Sequence, residues 1–250
     1  VLVLAGAAGA DVPIVVDGQP RAAIVIPAGA DPQTAAAADL LCRYVKEATG
    51  ADLARLDTDS AKAARLAEQI HVGPTPAADA LKADLEGLDG DGFLIHADGS
   101  RVVIVGPTPW GTEFGVCEFL ERFVGVRWLM PGEHGDDVPR RASLIVPGGT
   151  VRSEPAFFSR QFSGLRGPAR SAWGRRNRLH GRVAFHHNLW RVIPPKKYGK
   201  THPDFYPMRG GKRSVPPPGE TAHWQPCFTA DGLVEEAAAN IIAYFDAHPD

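Results

Sequence analysis

The sequence has few sulfur-containing residues and, after its first ten residues, no long apolar run. Cys42, Cys117 and Cys227 are widely spaced, and the sequence has neither a CxxC pair nor another zinc-binding spacing. Cys42 and Cys117 fall within helical patterns and are interpreted as small apolar core residues. Because no later apolar stretch approaches the roughly 20 residues of a membrane-spanning helix, we expect no transmembrane segment. We also expect no metal and no cofactor.

The first ten residues, VLVLAGAAGA, form an apolar run that ends in small residues. Ala8-Gly9-Ala10 is similar to the cleavage site of a secretory signal, so residues 1–10 are interpreted as the remnant of a signal peptide whose basic start is missing. A buried first strand is the alternative, since VLVL alone would suit one. The small residues favour the signal, and we therefore expect a secreted or periplasmic protein.

The near-neutral net charge of -2 hides one strongly basic block. Residues 151–213 carry fifteen Lys and Arg against two acids, whereas residues 1–150 carry twelve against twenty-one. For most of the block, a solvated basic face is the ordinary interpretation. A nucleic-acid surface and a pocket for anionic polysaccharide are the functional alternatives. Arg160 is an exception, because it lies in the apolar run AFFSRQF, where an unpaired charge is costly.

Residues 22–150 alternate strand and helix signals. AAIVIP and QIHVG are typical of short strands, and GFLIHADGSRVVIVG is typical of two strands joined at Asp98-Gly99. Asp31-Pro32 predicts the start of a helix and Gly50 its end. TPWGTEFGVCEFLERFVG returns to helical spacing, with Phe114, Cys117, Leu120 and Val124 on one side. The pattern predicts a small α/β domain with a mixed sheet over residues 11–148.

The pattern changes after Pro147. AFFSRQFSG, RVAFHHNLW and HWQPCFTA are candidate strands separated by loops rich in proline, glycine and basic residues, and GLVEEAAANIIAYFDAHPD is a clear helix. Strands that alternate with long loops and lead into a helix are how a TIM-type (β/α)8 barrel begins. Since only about three strands precede Asp250, residues 149–250 are expected to form the start of a truncated barrel.

Residues 111–132 resemble part of the N-terminal domain of family 67 α-glucuronidases, which is similar to domain 2 of β-hexosaminidases. The resemblance rests on the helix pattern GTxxGVxxFLER, beginning at Gly111, and on the pattern GVRWxxPG, beginning at Gly125. Upstream segments agree with that domain in order and spacing, so the resemblance covers about residues 22–148. The acids of this domain are scattered, and we expect an accessory domain without an active site. One loop is the possible exception, because it clusters Glu133, His134, Asp136 and Asp137.

The following half resembles the bacterial domain of unknown function 4838. The matching pieces are WxxRNR at 173–178, HN at 187–188, HPDFY at 202–206 and QPC at 225–227. The resemblance implies a secreted, glycosidase-like barrel.

Basic, amide and aromatic side chains of this half fit the wall of a carbohydrate pocket, in which rings stack on sugars and Arg holds a carboxylate. Zinc is not favoured, since adjacent His186 and His187 would point to opposite faces of a strand. Phe157, Phe158 and Phe162 fit core packing better than stacking, whereas for the tryptophans both interpretations are open. The predicted substrate-binding residues are Arg160, Trp173, Arg176, Asn177, His187, Asn188, His202, Trp224 and Gln225. Three of these, Arg160, His187 and Asn188, are expected to face one polar lumen.

No catalytic residue is assigned. Glycoside hydrolysis usually needs two carboxyl groups that face each other across the bond. The acids between residue 149 and the last helix are Glu154, Asp204, Glu220 and Asp231, and none is in a persuasive position. A catalytic pair is therefore expected beyond residue 250. We expect a glycoside hydrolase-like protein that acts on polysaccharide, with uronic-acid-containing chains as one candidate, and not a nucleic-acid-binding protein. The alternative is a non-catalytic glycan-binding or cell-surface module.

Overall fold

A computed structural model of the protein describes residues 9–60, 68–132, 134–164, 166–183, 188–221 and 224–249. The chain divides into two compact units, Val1–Arg182 and Val183–Asp250. The helices of the first unit are α1 (Pro32–Thr49), α2 (Lys82–Leu85), α3 (Pro109–Phe119) and α4 (Pro168–Arg176). Its strands are β1 (Val12–Val16), β2 (Gln19–Pro20), β3 (Ala22–Ile26), β4 (Arg55–Asp57), β5 (Glu68–Val72), β6 (Phe93–Ala97), β7 (Arg101–Val105), β8 (Arg127–Trp128), β9 (Asp136–Asp137), β10 (Leu144–Val146) and β11 (Gly149–Ser153).

The centre of the first unit is a six-stranded mixed sheet with the strand order β11-β6-β7-β5-β3-β4. β4, β3, β5 and β7 run parallel, whereas β6 is antiparallel to both β7 and β11. Gly99, in the turn between β6 and β7, has a φ of 65°, which glycine adopts without steric cost. The predicted mixed α/β domain and its hairpin at Asp98-Gly99 are confirmed.

Helical elements cover both faces of this sheet. α1 and α3 share one hydrophobic cluster with Ile70 and Ile104, while the short helical turns over residues 76–85 pack with Leu94 and Val103 in another. Neighbouring residues of β7 thus belong to different clusters, because successive side chains of a strand point to opposite faces. This arrangement buries nearly all of β3, β6 and β7.

α1 has the predicted ends. The Asp31 side chain accepts a hydrogen bond from Gln33 N at 2.8 Å, and Pro32 is the first helical residue. At the other end, Gly50 has a φ of 78° and its N–H donates to Lys46 O. Both ends follow from local chemistry, an Asp cap and a left-handed glycine.

Two glycines of the GTxxGV pattern let α3 lie close to the sheet. A Cβ at Gly111 would come within 2.1 Å of Gly92 O, and a Cβ at Gly115 within 2.8 Å of an Ile104 methyl carbon. Larger residues would push the helix away from the strands. α3 continues into a single π-helical turn, Leu120–Val124, and ends at Gly125 with a φ of 89°. The predicted apolar side of this helix is buried.

A second, three-stranded sheet has the order β10-β1-β2. β1 was not predicted, because Val12–Val16 contains a proline and directly follows the apolar run at the front of the sequence. Its side chains Val12, Ile14 and Val15 are fully buried. The predicted signal remnant falls largely outside the described residues, which begin at Gly9.

The predicted domain boundary at residues 148/149 does not coincide with the division between the compact units. β11 begins at Gly149 and pairs with β6 over five residues, so it forms an edge of the main sheet. The segment that follows, as far as Arg182, also belongs to the first unit. The change in composition after Pro147 therefore marks no structural boundary.

The second unit contains α5 (Leu189–Val192), α6 (Pro195–Tyr198), β12 (Met208–Arg209), β13 (Lys212–Arg213) and α7 (Leu233–Ala247). Its core consists of Ile193, Tyr198, Phe205, Tyr206 and Leu233. α7 confirms the predicted last helix, although its apolar residues Ile241 and Tyr244 are exposed.

The three strands predicted after residue 155 are wrong wherever the structure describes them. Residues 156–164 and 224–230 are irregular segments with a few bends and turns, and residues 189–190 begin α5 instead. Residues 184–187, at the middle of the second predicted strand, lie outside the described residues. The described part of the chain forms no closed barrel. Within the same part, no helix combines the length and apolar character that a membrane span requires.

Candidate functional site

Asp91 attaches the segment 155–182 to the main sheet. It lies in the loop before β6, and its side chain is only 1% exposed. Its carboxylate lies 2.6 Å from Arg160 Nη2, 2.6 Å from Arg182 Nη2 and 2.9 Å from His180 Nδ1. A buried carboxylate is costly unless it is paired and hydrogen-bonded, and these three donors satisfy it.

Hydrogen bonds decide the charges of Asp91 and of the neighbouring Asp89; we call these two residues, with Arg160, His180 and Arg182, the Asp91 cluster. Burial by itself would raise the pKa of Asp91, but its three donors outweigh burial and hold the pKa below the ordinary value. For Asp89, the hydrogen bonds from Arg182 at 2.5 and 2.8 Å lower the pKa. Both carboxylates are therefore ionised near neutral pH and only accept hydrogen bonds. Because a carboxylate cannot donate, His180 Nδ1 carries the proton in its contact with Asp91.

The WxxRNR motif fixes α4 to the rest of the first unit. The Trp173 indole Nε1–H donates to Trp128 O at 2.9 Å, and Asn177 Nδ2 donates to the same carbonyl at 3.2 Å. In turn, Trp128 Nε1 donates to the Tyr44 hydroxyl at 2.9 Å. α4, β8 and α1 are thus linked through one chain of hydrogen bonds.

Asp136 completes this link. It accepts a 2.5 Å hydrogen bond from the Tyr44 hydroxyl and lies 3.3 Å from Arg176 Nη1. Burial, followed by the hydrogen bond to Asp136, raises the pKa of Tyr44 to about 12. The phenol therefore stays protonated as a donor. Of the predicted acidic loop, Asp136 is a structural residue, His134 is exposed, and Glu133 lies outside the described residues.

An open cleft of about 450 Å³ lies between the start of α3, α4 and the segment around Arg160 and His180; we call it the α3–α4 cleft. Its size falls in the range of small-molecule sites. The residues that line it are Trp110, Arg160, Gln161, Phe162, Arg170, Ser171, Trp173, Gly174, Arg175, Leu179, His180 and Gly181.

Aromatic rings occupy two walls of the α3–α4 cleft. The Trp110 and His180 rings stack with their centroids 3.8 Å apart and an interplanar angle of 13°. On the α4 side, Phe162 meets Trp173 edge to face at 5.6 Å. Because Asp91 holds His180 and Trp128 O holds Trp173, both walls are preorganised.

The basic block does not form one uniform positive surface. Five of its arginines are paired with carboxylates that precede residue 150, and these are Arg160 with Asp91, Arg175 with Glu113, Arg176 with Asp136, Arg178 with Glu118 and Glu121, and Arg182 with Asp89 and Asp91. The acidic excess of residues 1–150 therefore neutralises much of the basic excess that follows it. Arg160 was the predicted exception to a solvated basic face, and the other four arginines are ion-paired as well.

One family model matches the region that contains α4 and the second unit. Residues 130–250 match the model of the family described as "Domain of unknown function (DUF4838)". This confirms the resemblance based on the four short motifs. The DUF4838 match begins next to β8 and continues through both compact units, so it includes the α4 wall of the cleft. The comparison with curated proteins gives no significant match.

Several solved structures are similar to the chain, and those named here are glycoside hydrolases. The GH20 β-N-acetylhexosaminidase of Streptomyces coelicolor A3(2) has 16% identity and a TM-score of 0.41, over 61% of this chain and 25% of that chain. The chitobiase of Flavobacterium johnsoniae has 12% identity and a TM-score of 0.33, over 59% and 19%. A GH115 4-O-methyl-α-glucuronidase with specificity for decorated arabinogalactans has 19% identity and a TM-score of 0.34, over 52% and 17%. The chain thus spans a quarter or less of each of these proteins.

Four of the predicted site residues in the DUF4838 region belong to the first unit. Arg160 and Trp173 line the α3–α4 cleft, whereas Arg176 and Asn177 hold α4 in place. The strand predicted around Arg160 is wrong, because residues 156–164 are not a strand. The charge of Arg160 is paired, since its guanidinium binds Asp91. Core packing was also wrong for Phe157, Phe158 and Phe162, which are 73%, 63% and 49% exposed.

The other predicted residues of the DUF4838 region are in the second unit or are not described. His187 lies outside the described residues, so the lumen shared by Arg160, His187 and Asn188 stays a prediction. The Asn188 carbonyl accepts from Arg191 N, and its side chain is exposed. Trp224 packs beside Tyr206 and lines a small cavity of about 170 Å³.

His202 and Gln225 complete the predicted set. His202 stacks on Phe205 with centroids 4.7 Å apart, and Gln225 is exposed. The sequence analysis missed other residues of the cleft, above all Trp110, Arg170 and His180. Trp110 was interpreted as part of a helix pattern, and Arg170 and His180 lie outside the short motifs of the family resemblance. Arg170 and His180 lie within three residues of WxxRNR, and this proximity was the available signal for them.

Proposed function

We propose that this chain binds carbohydrate through the α3–α4 cleft and forms part of a secreted, glycoside hydrolase-like protein that acts on polysaccharide. The observation that supports binding is the convergence of rigid aromatic rings and side-chain donors in one open cleft. Aromatic faces suit the C–H surfaces of sugar rings, and guanidinium, amide and hydroxyl groups suit their hydroxyls. A shallow, polar cleft with both kinds of group is well matched to a saccharide.

We assign the cleft a role in saccharide binding and not in cleavage of the glycosidic bond. Hydrolysis of a glycosidic bond usually needs two carboxyl groups on either side of it. No carboxylate is among the described residues that line the cleft. The neighbouring acids Asp91 and Glu113 are buried and ion-paired. In the proposed hydrolase the catalytic pair therefore lies elsewhere, and a non-catalytic glycan-binding module is the second candidate.

Binding is tested by titrating the 250-residue chain with oligosaccharides from a panel of polysaccharides, using calorimetry. Phe162→Ala removes an exposed ring that lines the cleft, and we expect it to weaken binding several-fold. Phe158→Ala is the matched control, because Phe158 is similarly exposed in the same segment but does not line the cleft. An equal loss of affinity in both variants would show that the saccharide binds outside the α3–α4 cleft.

Two further measurements separate the alternatives. Release of reducing sugar from the best ligand supports hydrolysis, whereas binding without release supports the non-catalytic module. Duplex DNA that outcompetes every saccharide would contradict the carbohydrate proposal.

A further inference from the structure

We infer that Arg170 makes the α3–α4 cleft selective for acidic saccharides by binding an anionic substituent, a carboxylate or a sulfate ester. This inference rests on the proposed function, since it names the ligand class of the same cleft. It places ligand recognition in the first compact unit, on the part that follows the predicted accessory domain at residues 11–148.

The inference rests on the charges of the arginines that line the cleft. Three arginines line it, and no acid is among its described lining residues. Arg160 is neutralised by Asp91, and Arg175 Nε lies 2.8 Å from Glu113, whose side chain is 5% exposed. Arg170 forms no ion pair with any described carboxylate. Among the described residues that line the cleft, Arg170 is therefore the arginine whose positive charge no carboxylate neutralises.

The hydrogen bonds of Arg170 leave room for a ligand. Its Nη2 donates to the carbonyl of Phe162, which holds the guanidinium against the cleft wall. A guanidinium has five N–H donors in a planar fork, so a single carbonyl uses a small part of its capacity. The fork fits two oxygens of a carboxylate or sulfate through parallel hydrogen bonds.

The position of Arg170 on α4 brings this charge beside an aromatic wall. Arg170 and Trp173 are three residues apart, so they lie on the same side of the helix. Trp173 in turn contacts Phe162 edge to face. A sugar ring placed against this wall would present its acidic substituent to Arg170.

A solvated arginine is the competing explanation, and Arg166 is the natural comparison. It lies on the same segment, is exposed, and does not line the cleft. If only the general positive field of the segment matters, removing either charge has the same effect on an anionic ligand. If Arg170 binds the anion directly, only its removal does.

The experiment compares four oligosaccharides with one backbone: neutral, uronate-substituted, methyl-esterified uronate and sulfated. Each is titrated into the 250-residue chain and into Arg170→Gln, Arg170→Lys and Arg166→Gln, at low and moderate salt. Thermal unfolding shows that each variant is folded. We expect Arg170→Gln to weaken uronate or sulfate binding roughly tenfold or more, without changing the neutral or esterified ligand. Arg170→Lys should recover part of the loss, and Arg166→Gln should change binding less than about twofold.

The results distinguish a failure of the assignment to Arg170 from a failure of the proposed carbohydrate binding. If the four ligands bind the unaltered chain equally, or if Arg166→Gln weakens the acidic ligands as much as Arg170→Gln, the assignment to Arg170 is overturned while carbohydrate binding stands. If no saccharide binds, the proposed function fails and the inference fails with it. If Arg170→Gln weakens binding of the uronate-substituted ligand, Arg170 binds a carboxylate. If it weakens binding of the sulfated ligand, Arg170 binds a sulfate ester.

Discussion

Trp173 donates its indole N–H to the backbone carbonyl of Trp128 at 2.9 Å. The two residues are 45 positions apart and belong to different sequence motifs, WxxRNR and GVRWxxPG. A motif interpreted as part of a substrate pocket thus also has a structural role, because it holds α4 against β8. The same indole also forms part of the wall of the α3–α4 cleft.

Trp173→Phe tests the contribution of that hydrogen bond to stability. Phenylalanine keeps most of the ring packing but cannot donate, and we expect a loss of about 1 kcal/mol in the free energy of unfolding. The loss is partial because Asn177 still donates to Trp128 O. Trp190→Phe, in the second unit, is the control and should change stability by less than about 0.5 kcal/mol. Denaturant titration measures both, and equal effects would contradict the structural role.

Asp91→Asn should destabilise the first unit by about 3 kcal/mol, since it leaves the partly buried Arg160 without a carboxylate, whereas Arg182 keeps its pair with Asp89. Asp84→Asn, at an exposed site in α2, is the control and should have little effect. Hydrogen exchange of the β6 and β7 amides reports on the unit that contains Asp91. Unchanged exchange in Asp91→Asn would show that the cluster does not hold the segment 155–182 in place.

The stability of the first unit should depend on pH in the acidic range. The folded-state pKa values of Asp89 and Asp91 lie below the ordinary value of 3.8. Their ionised forms therefore stabilise the fold fully above that value, and this stabilisation is lost as the pH falls through the lowered folded-state pKa values. Unfolding followed between about pH 6 and about pH 3 should show the decline. It should be shallower in Asp91→Asn and unchanged in Asp84→Asn, and identical slopes in all three proteins would contradict this prediction.

The three cysteines should react with a thiol reagent in a fixed order. Hydrogen bonds from Thr229 and then Arg213 lower the pKa of Cys227, so it should react first. Burial raises the pKa of Cys42, which is half-buried, and raises that of fully buried Cys117 further. Cys117 should therefore react only when the first unit unfolds. Cys227→Ser should remove the fast phase, and a fast phase that persists in this variant would assign it to another thiol.

Local chemistry explains why some elements were predictable. α1 begins at an Asp-Pro cap and ends at Gly50, and the β6–β7 turn requires the positive φ of Gly99. These signals act over a few residues and do not depend on the rest of the chain. The strands predicted after residue 155 failed for the opposite reason. An apolar run becomes a strand only when a neighbouring strand pairs with it. No strand in the described part of the chain pairs with residues 156–164, whose phenylalanines remain exposed.

The sequence by itself determined the mixed α/β character of residues 22–148, its helix ends and hairpin, and the resemblance to DUF4838. Only the tertiary structure decided how the basic block is used. Asp91 meets Arg160, His180 and Arg182 across separations of 69 to 91 residues, and no local pattern encodes such pairings. An arginine that packs against a carboxylate forms a structural ion pair. An arginine without such a partner can bind an anionic ligand. Arg160 and Arg170 both lie in the basic block, but Arg160 is ion-paired with Asp91, whereas Arg170 forms no ion pair with a described carboxylate.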